Sequence, residues 1–589
     1  MWENCDIFRL MLSKKALVSF FPLILVFLFA FLFRFIWLDK IPNAIGGDEI
    51  VYTLNAKASF LTGHDIFGTW FPVNGLLFRY PKGEAQAELP YILNSFFVGP
   101  TDFSLFNSRA PNLIMGVLLV LFIFLVTRQL LGKNAAIFAA LIASINPWLI
   151  YIGRTAYEAV PAMLFYFISF YILLKAKGWR ILLAFPFLVA AFYSYIATKL
   201  IFLPFVFIII IYVFIIINKK KYLKQYLALF TLCILFVVFF VVSLKLNPQT
   251  ARLNELLTPF DPAISREVDG IRKTSIQNPL IEIFVNKYTV FANIVVTKTL
   301  KSFSFDYLFV YGDEFFSIWR HGLFYYIDSL FLILGALFMF SKRRPVFFLF
   351  STLSLIGIVP QVFHTADVAN FSIHMTMTIP FLIILIGFGI DGLITYFKNR
   401  NKNYKLILTT LVLFVYLIST LNFANIYFFW YPLQGYFDFP VRIMSSYVLK
   451  ASQNQKVTVY SNSSFDFFKK YIFYTNSYDR NTASQIANNL NSEKYSFGNV
   501  TFMSCNTPLD DTNKESLAIV DAKCIEEKID LPHLSVARLK DGGESFKIFN
   551  DRICKGVGLN RYASNIKLSD FSIEALPTDK FCQTFITSL

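Results

Sequence analysis

Charge is what this chain lacks most. Only 16% of its 589 residues are charged, against about 25% in an ordinary soluble domain. Hydrophobic residues reach 56%, above the usual range of about 45–50%. Together these values exclude a soluble enzyme and a disordered chain. Acidic charge is the scarcer sign, with 38 Asp and Glu against 54 Lys and Arg. Cysteine occurs 6 times and histidine 5 times. There is no internal repeat, no low-complexity linker and no C-x-x-C spacing. A Gly-rich phosphate loop in strand–helix context, H-E-x-x-H and G-x-S-x-G are missing too. The chemistries those motifs carry are therefore not indicated.

What is present is apolar length. Phe alone supplies 70 residues. About eleven stretches are long enough to cross a bilayer, which takes about 20 residues each. They lie near 17–38, 111–130, 134–152, 159–175, 180–198, 200–218, 225–244, 322–340, 345–362, 374–396 and 404–428. The first is too long for a signal peptide, and no small-residue cleavage site follows it. The expected fold is a polytopic α-helical membrane protein carrying a small extracytoplasmic C-terminal α/β domain.

Basic residues give the orientation. Arg9, Lys14 and Lys15 precede the first stretch, Arg128 and Lys133 follow the second, and Lys175, Lys177 and Arg180 follow the fourth. Lys219 to Lys221 with Lys224, then Lys342 to Arg344, then Lys398, Arg400, Lys402 and Lys405 continue the series. The clusters fall on alternate loops, which is the positive-inside pattern. It predicts a cytoplasmic N-terminus and an outside C-terminus. It also accounts for most of the net charge of +16 without nucleic acid. The division expected is a membrane part over 1–430, with outer loops near 39–110 and 246–320, and a soluble outer domain over 431–589. Short alternating runs at 456–460, 499–503 and 517–520 read as strands, and 465–474 and 483–490 as helices. Cys505, Cys524, Cys554 and Cys582 all fall in this tail. An even number in an oxidising compartment predicts two disulfides, with three connectivities open. Cys5 is expected in the cytoplasm and Cys233 within the membrane.

The candidate chemistry lies on the outer face. Asp48 and Glu49 follow Gly46-Gly47 a few residues past the first stretch, with Ile50, Val51 and Leu54 after them. Carboxylates beside apolar neighbours hold protons more readily, which suits a general base. An acidic pair there also suits a helix cap. Arg79, Lys82, Arg109 and Arg154 lie on the same face. Arginines at outer helix ends call for an anion, either a phosphate or an internal carboxylate such as Glu158 beside Arg154. Tyr195, Lys199, His364 and His374 are further candidates for substrate contact. His364, Asp367 and His374, with His321 nearby, could bind a divalent metal by residue type, but their loose spacing favours hydrogen bonding or substrate contact. No cofactor is expected.

Three runs carry a resemblance. They are Gly46-Gly-Asp-Glu49, then Leu105-Phe-Asn-Ser-Arg-Ala-Pro-Asn-Leu-Ile-Met-Gly116, then the stretch from Leu131-Gly-Lys-Asn to Tyr151-Ile-Gly-Arg-Thr-Ala-Tyr-Glu158. Over about 15–220 the chain resembles GT-C superfamily glycosyltransferases. The nearest branch contains the dolichyl-phosphate-mannose–protein mannosyltransferases and the lipid A aminoarabinose transferase. Farther on, the likeness rests on Ile379-Pro380 and Ile386-Gly-Phe-Gly-Ile390. It implies sugar transfer from a polyprenyl-phosphate donor to a protein, lipid or glycan acceptor at the outer face. Asp48 would be the base and Glu49 its support, with Arg109 near the donor phosphate and Arg154 in a comparable place. Where many members carry a basic residue before a proline, this chain reads Ala87-Glu88-Leu89-Pro90, so that either Lys82 substitutes or the donor contact differs. The zinc of some relatives is not implied. Two rival readings are an oligosaccharyltransferase and a transporter or flippase. Phe429-Trp430-Tyr431-Pro432 lacks the Trp-Trp-Asp signature of the first. The second expects midplane charges, and the apolar stretches are nearly free of them.

Overall fold

The computed structural model describes residues 14–68, 87–217, 220–246, 256–318, 320–365, 370–398, 402–434, 438–506, 516–524, 533–537, 543–559 and 566–588. Its first part is helical. In chain order the helices are α1 (Lys14–Phe35), α2 (Gly47–Thr62), α3 (Leu89–Val98), α4 (Leu105–Leu131), α5 (Lys133–Ile145), α6 (Pro147–Ile152), α7 (Ala159–Lys175) and α8 (Ala184–Ser194). They continue with α9 (Phe202–Ile215), α10 (Leu223–Leu246), α11 (Pro262–Thr274), α12 (Lys287–Ser302), α13 (Tyr326–Lys342), α14 (Arg344–Gly357), α15 (Thr378–Lys398) and α16 (Lys402–Asn425).

Each apolar stretch read from the sequence is helical, but not each is a full-length helix. Among the described residues, 6 helices are long and apolar enough to cross a membrane by length and composition. They are Leu105–Leu131, Ala197–Ile215, Lys220–Ser243, Arg344–Val362, Thr378–Lys398 and Asn403–Leu433. The stretch expected over 134–152 is two helices. Pro147 has no N–H to offer the carbonyl of Ala143, so α5 ends and α6 begins. Asn146 caps α6, its Oδ1 accepting from the Leu149 N–H at 2.9 Å. Between α4 and α5 the chain turns at Gly132, whose φ of 97° favours glycine.

Close helix packing accounts for the run Ile386-Gly-Phe-Gly-Ile390. A Cβ at Gly387 would overlap the Ala139 backbone of α5, and one at Gly389 would overlap the Phe331 backbone of α13. Gly335 of α13 meets Leu385 in the same way. Small residues let α15 lie directly against both neighbours.

The tail opens with α17 (Phe439–Ser452) and builds one seven-stranded sheet. Its elements are β1 (Val457–Ser461), α18 (Ser464–Tyr474), α19 (Ala483–Asn491), β2 (Ser496–Phe497), β3 (Val500–Ser504), β4 (Leu517–Asp521), β5 (Leu534–Ala537), β6 (Glu544–Phe549), α20 (Thr578–Phe585) and β7 (Thr587–Ser588). Strand order is β2-β3-β1-β4-β6-β5-β7, with β1 parallel to both β3 and β4 and the other pairs antiparallel. The three strands and two helices expected here are all present, shifted by a residue or so. Phe467 and Phe468 of α18 pack on Phe502 of β3 at ring distances of 5.3 and 5.8 Å. The disulfides are Cys505–Cys524 and Cys554–Cys582, one of the three pairings the sequence left open. Cys233 is free and buried, while Cys5 lies outside the described residues.

Candidate active site

Asp48 and Glu49 stand in the first turn of α2, and the structure separates them. Glu49 is completely buried, whereas Asp48 is half-buried. Glu49 takes the capping role. Its Oε2 accepts from the Gly46 N–H at 2.8 Å, and its Oε1 accepts from the Ala156 N–H at 2.7 Å. The Arg109 Nε donates to Glu49 Oε1 at 3.2 Å, completing a fully buried ion pair. Gly46 is extended, with φ −74°. What it supplies is closeness, since a Cβ there would sit 2.6 Å from the Tyr157 hydroxyl.

Arg109 and Arg154 turn their guanidinium groups to backbone carbonyls, and Arg109 also to a carboxylate. Both are fully buried. Arg109 donates to the carbonyls of Pro42 and Ala44, each at 2.7 Å, besides Glu49. Arg154 donates to the carbonyls of Phe33 at 2.9 Å and Ile41 at 2.8 Å and to the Tyr427 hydroxyl at 3.2 Å. Its guanidinium also lies over the Tyr427 and Phe428 rings at 5.4 and 5.0 Å. The physical reason is burial. A guanidinium away from water takes carbonyls and carboxylates as partners, and the loop at 41–44 supplies them. Asn112, from the same Ser-Arg-Ala-Pro-Asn run, donates to the carbonyls of Thr155 and Tyr157 at 2.7 and 2.6 Å. The two motifs quoted from the sequence are thus stitched to one another.

Around Asp48 lie two tyrosines that sequence reasoning did not single out. Burial, then Glu49, Asp48, Tyr431 and Glu158, pushes the Tyr157 hydroxyl well above its ordinary value. Burial, then Glu158, Tyr91 and Asp48, does the same to Tyr52. Both therefore stay protonated at neutral pH, and Asp48 and Glu158 share their neighbourhood. Tyr157 was within the quoted motif, next to Glu158. Tyr52 carried no signal beyond its spacing of one helical turn from Asp48.

From Tyr52 the site extends to Lys199. The Ala87 N–H donates to the Tyr52 hydroxyl at 3.2 Å, and Tyr52 meets Tyr91 at 5.1 Å. Glu88, next in the chain, takes the Lys199 ammonium at 2.9 Å on each oxygen. The ammonium also lies near the Phe192, Tyr193 and Phe240 rings, at 5.4, 5.6 and 4.9 Å. A cation therefore does stand at the Glu88-Leu89-Pro90 position, delivered by Lys199. Arg79, Lys82 and Asp367 lie outside the described residues. Tyr195, His364 and His374 form a further cluster. The Tyr195 hydroxyl and His374 Nδ1 are hydrogen-bonded at 2.9 Å, and the two imidazoles stack at 4.9 Å. Among the described residues no group of three or more His, Cys, Asp or Glu is placed to hold a metal ion.

Two residues of the tail reach the loop ahead of Asp48, and no sequence motif marked them. Arg442 donates to the Asn43 carbonyl at 2.6 Å, and the Ile45 N–H donates to the Tyr474 hydroxyl at 2.8 Å.

No curated protein matches this chain. Among solved structures, ArnT from Cupriavidus metallidurans bound to undecaprenyl phosphate aligns with a TM-score of 0.49 and 11% identity, covering 91% of this chain and 98% of that one. The archaeal oligosaccharyltransferase AglB from Archaeoglobus fulgidus, in complex with an inhibitory peptide and a dolichol-phosphate, aligns at 0.48 with 12% identity, covering 96% and 78%. The sequence model of the dolichyl-phosphate-mannose-protein mannosyltransferase family matches residues 90–244, the part that carries Arg109, Arg154, Glu158 and Lys199. Over that stretch the chain resembles the protein mannosyltransferase branch of the GT-C membrane glycosyltransferases.

Proposed function

We propose that this chain transfers a sugar from a polyprenyl-phosphate donor to an acceptor hydroxyl at the outer face of a membrane, with Asp48 as general base. The observation that carries the reading is the division of labour in the Asp48-Glu49 pair. Glu49 is consumed by Arg109, Gly46 and Ala156, while Asp48 is only half-buried and stands among Tyr52, Tyr157 and Glu158. A base must be able to meet a substrate proton, and half-burial supports Asp48 over the fully buried Glu49 in that role.

The chemistry is a single displacement. Asp48 takes the proton of the acceptor hydroxyl as its oxygen attacks the anomeric carbon. The polyprenyl phosphate leaves from the opposite face, so the anomeric configuration inverts. Charge grows on the leaving oxygen and needs a cation. Arg109 and Arg154 hold the loop beneath the site. Lys199, whose ammonium rests against rings and Glu88, is the residue we assign to the phosphate. The Phe192, Tyr193 and Phe240 rings beside it suit a prenyl tail. The alternate-loop distribution of Lys and Arg supports an N-terminus in the cytoplasm and a sheet domain outside.

The test feeds labelled polyprenyl-phosphate sugars to the purified protein. Asp48→Asn should lower transfer by about 10²- to 10⁴-fold while donor binding persists. A fully active Asp48→Asn protein overturns the assignment. Lys199→Gln should raise the donor KM and also lower kcat, because the charge it meets grows in the transition state. An unchanged donor KM removes Lys199 from the phosphate.

A further inference from the structure

The loop that delivers Asp48 is gripped residue by residue. Four successive carbonyls each accept from a guanidinium: Ile41 from Arg154 at 2.8 Å, Pro42 from Arg109 at 2.7 Å, Asn43 from Arg442 at 2.6 Å and Ala44 from Arg109 at 2.7 Å. The next backbone group, the Ile45 N–H, donates to Tyr474 at 2.8 Å. The Asn43 side chain donates to the Pro432 carbonyl at 2.6 Å. Two of the grips on the loop's backbone come from tail side chains, across sequence separations of 399 and 429 residues.

The tail residues are themselves fixed. Arg442 holds both Glu574 oxygens at 2.8 Å and the Phe571 carbonyl at 2.9 Å. Its guanidinium lies 5.7 Å from the centre of the Tyr474 ring. Both side chains are buried. Adhesion of the tail to the rest of the chain has other sources. Asn476 donates to Asp102 at 2.7 Å and accepts from the Phe103 N–H at 3.0 Å. Asn491 donates to the Phe67 carbonyl at 2.9 Å, and Phe473 packs on Phe103 at 5.2 Å. Arg442 and Tyr474 instead grasp backbone groups within five residues of Asp48, as the numbering shows.

We infer that Arg442 and Tyr474 are positioning residues, by which the soluble tail sets the place of Asp48. The inference rests on the reading of Asp48 as the base. Asp48 sits in the first turn of α2, directly after this loop, and a helix start whose entry loop is tied only to its own neighbours would sample more positions. A proton transfer needs the Asp48 carboxylate within about 3 Å of its target. A rigid frame of side-chain donors and acceptors from two parts of the chain removes that freedom. The tail is therefore part of the catalytic apparatus without touching substrate through these residues.

The experiment uses the full chain in detergent. Hydrogen–deuterium exchange is followed on peptides covering 39–52, and transfer is measured with a panel of undecaprenyl-phosphate sugars. Tyr474→Phe deletes one acceptor and keeps the ring. It should speed exchange at Ile45 and lower kcat about fivefold, with donor KM unchanged and a thermal midpoint only slightly lowered by the unmade bond to the Ile45 N–H. Arg442→Lys keeps the charge but cannot hold Glu574 and Asn43 together, and should lower kcat by up to about 10²-fold. Asn476→Ala loosens adhesion alone and should leave kcat as it was. Unchanged exchange over 39–52 in both Tyr474→Phe and Arg442→Lys overturns the inference. So does a loss of activity that only tracks the loss of folded protein. If Asp48→Asn is inactive while Tyr474→Phe is fully active, positioning fails and the reading of Asp48 stands. If Asp48→Asn is fully active, that reading fails first.

Discussion

At the scale of single residues, the pair of carboxylates shows how adjacent acids divide their work. The helix that begins at Gly47 turns its first residues through about 100° each, so Asp48 and Glu49 face different surroundings. Glu49 faces Arg109 and two backbone N–H groups. Replacing it by Gln leaves a buried guanidinium without its counter-charge, and breaking a buried pair costs about 3–5 kcal/mol. Glu49→Gln should accordingly lower the thermal unfolding midpoint, in contrast to Asp48→Asn, which should melt as the parent does. Gly46 and Gly47 make a second contrast. A methyl group at Gly46 meets the Tyr157 hydroxyl, whereas at Gly47 it meets nothing within 4 Å. Gly47→Ala, inside the helix, should be tolerated or mildly stabilising by a few tenths to about 1 kcal/mol. Gly46→Ala should displace Tyr157 and reduce transfer. Equal activity in both variants would mean that the approach of Tyr157 is unimportant. The motif itself was legible in the sequence. The partner of Arg109 was not fixed there, because Glu49 lies 60 residues away and a phosphate satisfies a guanidinium equally well.

At the scale of elements, the break between α5 and α6 explains a charge that composition alone makes puzzling. Arg34 lies in α1, inside the first apolar stretch, and is fully buried. It donates to the carbonyls of Ala143 at 3.4 Å, Ser144 at 3.3 Å and Leu149 at 3.2 Å, and to Ala30 at 3.0 Å in its own helix. Ala143 is the residue whose helical partner would have been Pro147. The guanidinium thus closes the carbonyl end of a helix that a proline stopped, from another helix. Gly116 and Gly153 make room for it, since a Cβ at either would lie 3.0 Å from Arg34 Nε. Arg34→Met fills the volume but leaves these carbonyls without the donor, at about 1–3 kcal/mol for a buried polar group left unmade. A thermal midpoint equal to the parent's would show that water or relaxation of α5 supplies the missing bonds. The helices were legible because apolar length is a local signal. The break was hidden because a span-length apolar run reads the same whether or not Asn146-Pro147 divides it. Arg34 belongs to no sequence motif, and only the folded arrangement shows what it serves.

At the scale of the whole molecule, the tail and the helical part share one piece of chain, the loop at 41–46. The strands and helices of the tail could be read from alternation and composition. Its grip on that loop could not, since Arg442 and Tyr474 belong to no motif and act across some 400 residues. The ion pair behind Arg442 gives the grip a pH dependence whose sign is fixed. Burial works to raise the Glu574 carboxyl, but the charge and hydrogen bonds of Arg442 outweigh it and hold the group below its ordinary value. A carboxylate lowered in the folded state stabilises that state fully above its unfolded pKa, about 4.3 for Glu. The contribution declines as pH falls below that value toward the depressed folded one. Arg442 stays charged throughout, so protonating Glu574 leaves a buried guanidinium short of its counter-charge. The anchor at Asn43 should therefore hold near neutrality and loosen only in strongly acid solution. Exchange of the 39–52 backbone, measured from pH 7 down to below 4 with intrinsic rates corrected, should stay flat and then rise. Glu574→Gln should remove the acid step and leave exchange elevated across the range. If exchange in the parent rises between pH 7 and 5, a group other than Glu574 governs the clamp, and the tail holds the loop through a different contact.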